Sequence, residues 1–218
     1  ALWNASDKLL ASCMDTLHEF APVLREADLA DSVIARRISP AVMSYHGIQY
    51  QSMAPEVMDS AQLAWLQGHL WILSGLYGCV RPFHAVEPYR LEMGAKLAVD
   101  DARDLYAFWS DKLARAIAPA GSNTTIVNLA SVEYAKAVLP HLAGDATAVT
   151  CLFGEGIRNG KPIQRSTASK KARGSMVRWM AENKLEDASE LTAFNIGYRH
   201  IPELSDKNAL VFMNAQAQ

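Results

Sequence analysis

The chain has 218 residues, half of them hydrophobic, with 21 Lys+Arg against 23 Asp+Glu for a formal net charge of −2. That is ordinary for a globular chain with one sizeable core, and it excludes bulk attraction to nucleic acid while leaving local patches open. No apolar run approaches the roughly 20 residues needed to span a bilayer, and Cys13, Cys79 and Cys151, odd in number and far apart, point to a reducing cytoplasm rather than a disulfide framework.

The chain opens on Ala1 instead of an initiator methionine, and Leu2-Trp3-Asn4 shows no signal-peptide pattern, so a further N-terminal segment is expected ahead of it. Ser6 and Asp7 are N-cap residues, and Leu9, Leu10, Cys13, Met14 and Leu17 follow at helical spacing, which predicts a helix to Phe20, before Pro22. A second helix is predicted over 28–37, halted by Pro40. Residues 41–45 (A-V-M-S-Y) read as a short strand, with Gly47 turning the chain, and Asp59 or Ser60 caps a helix through Leu66.

His69 to Ser74 reads as a buried strand feeding residues 73–94, L-S-G-L-Y-G-C-V-R-P-F-H-A-V-E-P-Y-R-L-E-M-G. Gly75, Gly78, Pro82, Pro88 and Gly94 exclude regular helix there, and the apolar content excludes a solvated linker. An ordered, mostly buried passage through the centre of the molecule is expected, with a strand over 90–97. Arg90 and Glu92 would then share a face and either line a cleft with Arg81 and Tyr89 or form an ion pair.

Asp101 and Asp104 start a helix whose buried stripe is Leu105, Trp109, Leu113 and Ile117, with Pro119 as its stop. A strand over 125–129, a helix from Ser131 to Val138 and a strand over 146–153 follow. Asn159-Gly160 is a strong hairpin signal with a following arm over 161–165. A long helix over 168–184, a short one from Asp187 and strands at 198–201 and 210–213 complete an α+β pattern: one mixed sheet with surrounding helices.

Between Arg158 and Arg178 lie seven cations, Arg158, Lys161, Arg165, Lys170, Lys171, Arg173 and Arg178, with no intervening acid. At about 100° per residue, Ala168, Ala172, Met176, Trp179 and Met180 share a core face. Lys170, Lys171 and Arg178 group around Gly174 and Ala181, small residues that would admit a phosphate backbone. A solvated helix face and an anion site both fit this pattern. The six histidines, His18, His46, His69, His84, His141 and His200, lack tight metal-ligand spacing. Cys79 fits small buried filler as well as a nucleophile, and Ser131 fits a plain N-cap as well as an anion contact. There is no G-x-S-x-G elbow, G-x-G-x-x-G or Walker loop, so no nucleotide cofactor is expected.

The stretch L-S-G-L-Y-G-C-V-R-P with P-Y-R-L-E-M-G-A-K-L closely resembles the signature of the YaaA family of bacterial peroxide-stress proteins. The resemblance continues through D-L-Y-A-F-W at 104–109, I-V-N-L-A-S-V-E-Y at 126–134, S-K-K-A-R-G-S-M at 169–176, L-T-A-F-N at 191–195, G-Y at 197–198 and L-V-F at 210–212. It covers nearly the whole chain from Ser6 onward.

The resemblance implies a cytoplasmic α+β protein of one domain, with a fold peculiar to the family, induced by peroxide and associated with limiting free iron and Fenton damage. It also implies DNA binding through a positively charged cleft and a helix-hairpin-helix-like element. By position, S-K-K-A-R-G supplies Lys170, Lys171 and Arg173, the signature supplies Arg81 and Arg90, and N-A-S-D-K-L-L-A supplies Lys8. Family members open with a short strand, S-P-A-K and a further helix, which do not precede Ala1 in this sequence. The expectation is a DNA-binding stress protein using Lys170, Lys171, Arg173, Arg178, Arg81, Arg90 and Lys8. Two alternatives remain: an enzyme on a phosphate-bearing small molecule or nucleic acid around Tyr89, Arg90 and Glu92, and direct iron sequestration.

Overall fold

A computed structural model describes residues 38–87 and 89–216. The helices expected over 6–20 and 28–37, and Lys8 with them, lie outside the described residues. The described chain begins with β1 (Ser39–Pro40), the one-turn helix α1 (Ala41–Ser44), α2 (Ile48–Met53) and α3 (Ser60–His69). β2 (Ile72–Ser74) and β3 (Gly78–Val80) form an antiparallel hairpin, and β4 (Ala85–Val86) returns to pair with β1. Next come α4 (Leu105–Trp109), α5 (Lys112–Ile117), β5 (Thr125–Asn128), α6 (Val132–Ala135) and β6 (Thr147–Gly154). The two-residue arms β7 (Ile157–Arg158) and β8 (Lys161–Pro162) precede α7 (Ser166–Asn183), β9 (Tyr198–His200) and β10 (Ala209–Asn214).

The main sheet has the order β5-β6-β10-β9, with β6 parallel to both β5 and β10 and β9 antiparallel at the edge. It is the mixed sheet of an α+β fold. Along β6, Val149, Cys151 and Phe153 alternate inward, and α7 packs beside them through Ala172 and Met176. Phe153, Phe194 and Phe212 close this core, with ring centroids 5.5–6.1 Å apart. Each is at most 1% exposed, and burying one such ring is worth roughly 1.5–3 kcal/mol.

Residues 73–94 divide two apolar cores. Ile72 and its register partner Val80 face the sheet core, together with Phe83 and Val86. Leu73 and its partner Cys79 face the other way, onto a second cluster built from Met93, Leu105, Leu113 and Val138. A hairpin whose alternate residues enter different cores must be apolar on both faces, which is why the stretch reads as neither helix nor linker.

Local chemistry explains where the elements start and stop. Asp59 and Gln62 form a reciprocal capping box at the start of α3, through N–H to oxygen bonds of 2.8 and 3.1 Å. α7 ends where Lys184 turns left-handed (φ 50°), and Leu185 N–H donates back to Met180 O at 3.0 Å.

Three expectations are corrected. Residues 41–44 are one turn of helix instead of a strand. Ala41 and Val42 donate to the carbonyls of His84 and Pro82, and Ser44 Oγ donates to Pro40 O and bonds Ser39 Oγ. Residues 90–97 form no strand: Gly94 N–H donates to Glu133 Oε1 at 2.7 Å and Ala95 N–H closes a turn on Glu92 O, so the backbone bonds are met without a ladder. The helix expected from Asp104 to Ile117 breaks at Ser110 (φ 47°), leaving Leu105 and Leu113 on two short helices that share the second core.

Candidate nucleic-acid interface

The basic segment is a hairpin joined directly to a helix. Asn159 and Gly160 both take positive φ (51° and 73°), as a two-residue type I′ turn requires. Glu155 N–H donates to Ile163 O and Ile163 N–H to Gly156 O, at 2.9 and 2.7 Å, extending the arms. Arg158, Lys161 and Arg165 are exposed along them, and Arg165 stands at the N-cap of α7 without a side-chain cap. No acid occupies the first turn of α7, and exposed Lys170 and Lys171 follow in its second turn. A cation at a helix N-terminus opposes the macrodipole, whose effect fades beyond the first turn, so the placement of Arg165 is locally unfavourable.

α7 is packed on two sides. Ser169 Oγ donates to Phe153 O of the sheet at 3.4 Å, while Gly174 lies against α2. A Cβ on Gly174 would come within 2.0 Å of Gln49 O and 2.9 Å of Met53 N. Ala181, on the same side of α7, is fully buried. The groove expected around Gly174 and Ala181 is therefore filled by α2 at Gly174 and buried at Ala181, and a phosphate backbone cannot enter there. Lys170 and Lys171 remain on the rim, and neither pairs with a carboxylate among the described residues.

The other candidate cations differ in their commitments. Arg173 is half-buried; among the described residues its buried Nε has no hydrogen-bond partner and the side chain forms no ion pair. Burial pulls its guanidinium below the ordinary arginine range, and its neighbour Cys151 is a thiol pushed up by burial to about 12. Arg178 donates through Nε to Glu182 Oε1 at 2.7 Å. Arg81 donates to the carbonyls of Gly68 and Leu70 and stacks 3.8 Å over Trp71, which ties the end of α3 to the end of β3. Arg90 and Glu92 are exposed and form no ion pair with each other. The structure thus unites Lys170, Lys171, Arg173 and Arg178 on one helix, with Arg81 and Arg90 on the stretch between the cores.

A hydroxyl cluster that no sequence pattern announced lies beside that stretch. Ser74 Oγ, fully buried, accepts from Leu76 N–H and Tyr77 N–H at 3.1 and 2.8 Å and bonds Tyr89 Oη at 2.6 Å. Tyr89 Oη bonds Tyr45 Oη at 2.8 Å, and Tyr45 stacks on Tyr50. Since the two N–H groups occupy both lone pairs of Ser74 Oγ, its own proton goes to Tyr89. Burial holds the Tyr45 and Tyr50 phenols well above their usual range and Tyr134 at about 12. They are neutral phenols, and none is an ionised base. Among the described residues no His, Cys, Asp and Glu side chains gather as a metal site.

The family model for peroxide stress protein YaaA matches residues 1–204. The chain belongs to the YaaA family. UPF0246 proteins are its close relatives: that of Desulfitobacterium hafniense strain Y51 is 45% identical over 181 residues, covering 83% of this chain and 71% of the relative. That of Pediococcus pentosaceus is 44% identical over 207 residues (94% and 80%), and that of Lachnoclostridium phytofermentans is 39% identical over 218 residues (99% and 79%). Membership of the YaaA family gives the chain a general place in the oxidative-stress response. Among the described residues no helix is long and apolar enough to cross a membrane.

Proposed function

We propose that this protein binds DNA through the basic hairpin and the N-terminal half of α7, and that in the peroxide-stress response it shields bound DNA from iron-dependent damage in the cytoplasm. The observation that carries the reading is Lys170 and Lys171: adjacent, exposed and, among the described residues, without a carboxylate partner, on a helix packed on two sides. With Arg158, Lys161 and Arg165 just ahead, they form a cationic strip in a protein of net charge −2. Arg165 at the N-cap opposes the helix dipole, and such a local penalty is expected where a site serves an external anion. Lys and Arg are the usual partners of phosphate oxygens, and contacts of this kind are strongly salt-dependent. Arg173 and Arg178 stand on the same helix, whereas Arg81 and Arg90 belong to the stretch between the cores, far from it in sequence; of these Arg81 is the most committed to the fold. Duplex and single-stranded DNA are titrated at two salt concentrations with the wild type and the Lys170→Glu, Lys171→Glu double variant. Loss of most of the affinity is expected; affinity that is unchanged, or insensitive to salt, sinks the reading.

A further inference from the structure

Arg173 stands apart from the surface lysines. It is half-buried, and among the described residues its Nε has no hydrogen bond and no carboxylate lies within ion-pair distance. Buried polar atoms nearly always find partners, so a buried guanidinium nitrogen left without one among the described residues calls for an explanation. At about 100° per residue, Arg173 falls between the side of α7 that meets the sheet, marked by Ser169 and Ala172, and the side that meets α2, marked by Gly174. Its side chain lies next to Cys151 of β6, on the edge of α7 that faces the wedge between the sheet and α2. That thiol is neutral and gives no counter-charge.

We propose that Arg173 is the receptor for a single terminal phosphate, a phosphomonoester that enters this wedge end-on, with Lys170 closing over it. Lys170 precedes Arg173 by three residues, where helix side chains are neighbours, with Cβ atoms about 5–6 Å apart. Two cations without an acid match a group carrying about −1.5 to −2 charges at pH 7. The guanidinium fork donates to two of its oxygens at once. A phosphodiester, singly charged and substituted on both sides, needs the open groove that α2 fills at Gly174. A phosphomonoester bears one substituent and needs only a slot. Both a 5′-phosphorylated strand end and a free mononucleotide carry this chemistry.

The test uses the full chain in two arms. In the first, thermal melts compare inorganic phosphate with chloride at equal ionic strength. At a hundredfold excess over Kd, phosphate is expected to raise the wild-type Tm by about 5–10 °C. Arg173→Met is expected to lose that response and to melt higher than wild type without phosphate, since the unpaired charge is gone; Arg173→Lys should keep part of the response. In the second, which rests on the DNA reading, a 5′-phosphorylated oligonucleotide should bind about tenfold tighter than its 5′-hydroxyl twin, the worth of one charge-assisted pair. That difference should vanish in Arg173→Met, whereas Lys170→Glu with Lys171→Glu should weaken both oligonucleotides. A phosphate response that is equal in wild type, Arg173→Met and Arg173→Lys overturns the proposal. A phosphate response lost in Arg173→Met, with no DNA bound by any form, supports the site with a mononucleotide-sized ligand and removes only the DNA reading.

Discussion

Gly174 of α7 lies so close to Gln49 of α2 that a Cβ there would stand 2.0 Å from the Gln49 carbonyl oxygen. The obstructing atom is backbone, so relief requires the two helices to part. α2 also carries Tyr50, stacked on Tyr45 of the hydroxyl cluster, so this one contact links the basic helix to the stretch between the cores. On an exposed helix Gly→Ala stabilises by about 1 kcal/mol. Here Gly174→Ala is expected to destabilise by about 1–3 kcal/mol net, as overpacking does. A denaturant titration checks the sign; a stabilised variant would show that the helices are not so closely apposed.

That contact also marks where the sequence stopped being informative. The 3.6-residue period correctly put Ala172 and Met176 of α7 in the core, because that face meets a large apolar sheet. The Asn159-Gly160 turn and the Asp59 cap were legible for a similar reason: their chemistry is local. A helical wheel assumes one buried side, and α7 has two, so Gly174 and Ala181 read as an open groove and Arg173 as one more surface cation. The turn of helix at 41–44 and the break at Ser110 were hidden because distant groups decide them, the carbonyls of Pro82 and His84 in the first case and the shared second core in the other.

For DNA binding, the graded expectation concerns salt. If Lys170 and Lys171 each neutralise one phosphate, replacing either by alanine should reduce the slope of log K against log salt by about one unit for duplex DNA. Arg81→Ala should leave the slope nearly intact but lower thermal stability, because its guanidinium is occupied by Gly68, Leu70 and Trp71. Fluorescence anisotropy across a salt series separates the two behaviours. A slope that falls as much for Arg81→Ala as for Lys170→Ala would contradict this division of roles.

Ser74 should matter far more to stability than its size suggests. Ser74→Ala strands two part-buried N–H groups and takes a partner from the Tyr89 hydroxyl, a loss of about 1–3 kcal/mol. Tyr45→Phe removes only the far end of the chain and should cost about 0.5–1.5 kcal/mol. Equilibrium unfolding of both variants tests the order, and a larger loss for Tyr45→Phe would refute the proton assignment along the chain.

The turn at 81–84 should respond to acid. His84 Nδ1 accepts the Arg81 backbone N–H at 3.3 Å, and burial, then the Arg81 charge, lower its pKa. The folded state thus resists a proton that the unfolded chain accepts at its ordinary value of about 6.5. The contribution is complete above that value and is lost as pH falls through the lower folded value. Thermal melts from about pH 8 down to about pH 5 should show a decline that is smaller in His84→Gln. An identical decline in the variant would assign the effect to another group.

Arg178 provides the sharpest check on the basic helix, because its competitor is known. Its Nε donates to Glu182 Oε1 at 2.7 Å, and both side chains are more than a third exposed. Such an i,i+4 pair contributes only about 0.3–0.5 kcal/mol, less than a charge-assisted bond to phosphate. Glu182→Gln should therefore tighten DNA binding by removing both the competitor and a repelling charge, while Arg178→Ala weakens it. Stability should change by no more than about 0.5 kcal/mol in either variant. If Glu182→Gln leaves affinity unchanged while Lys170→Ala lowers it, the interface ends before Arg178 and is confined to the hairpin and the first turns of α7.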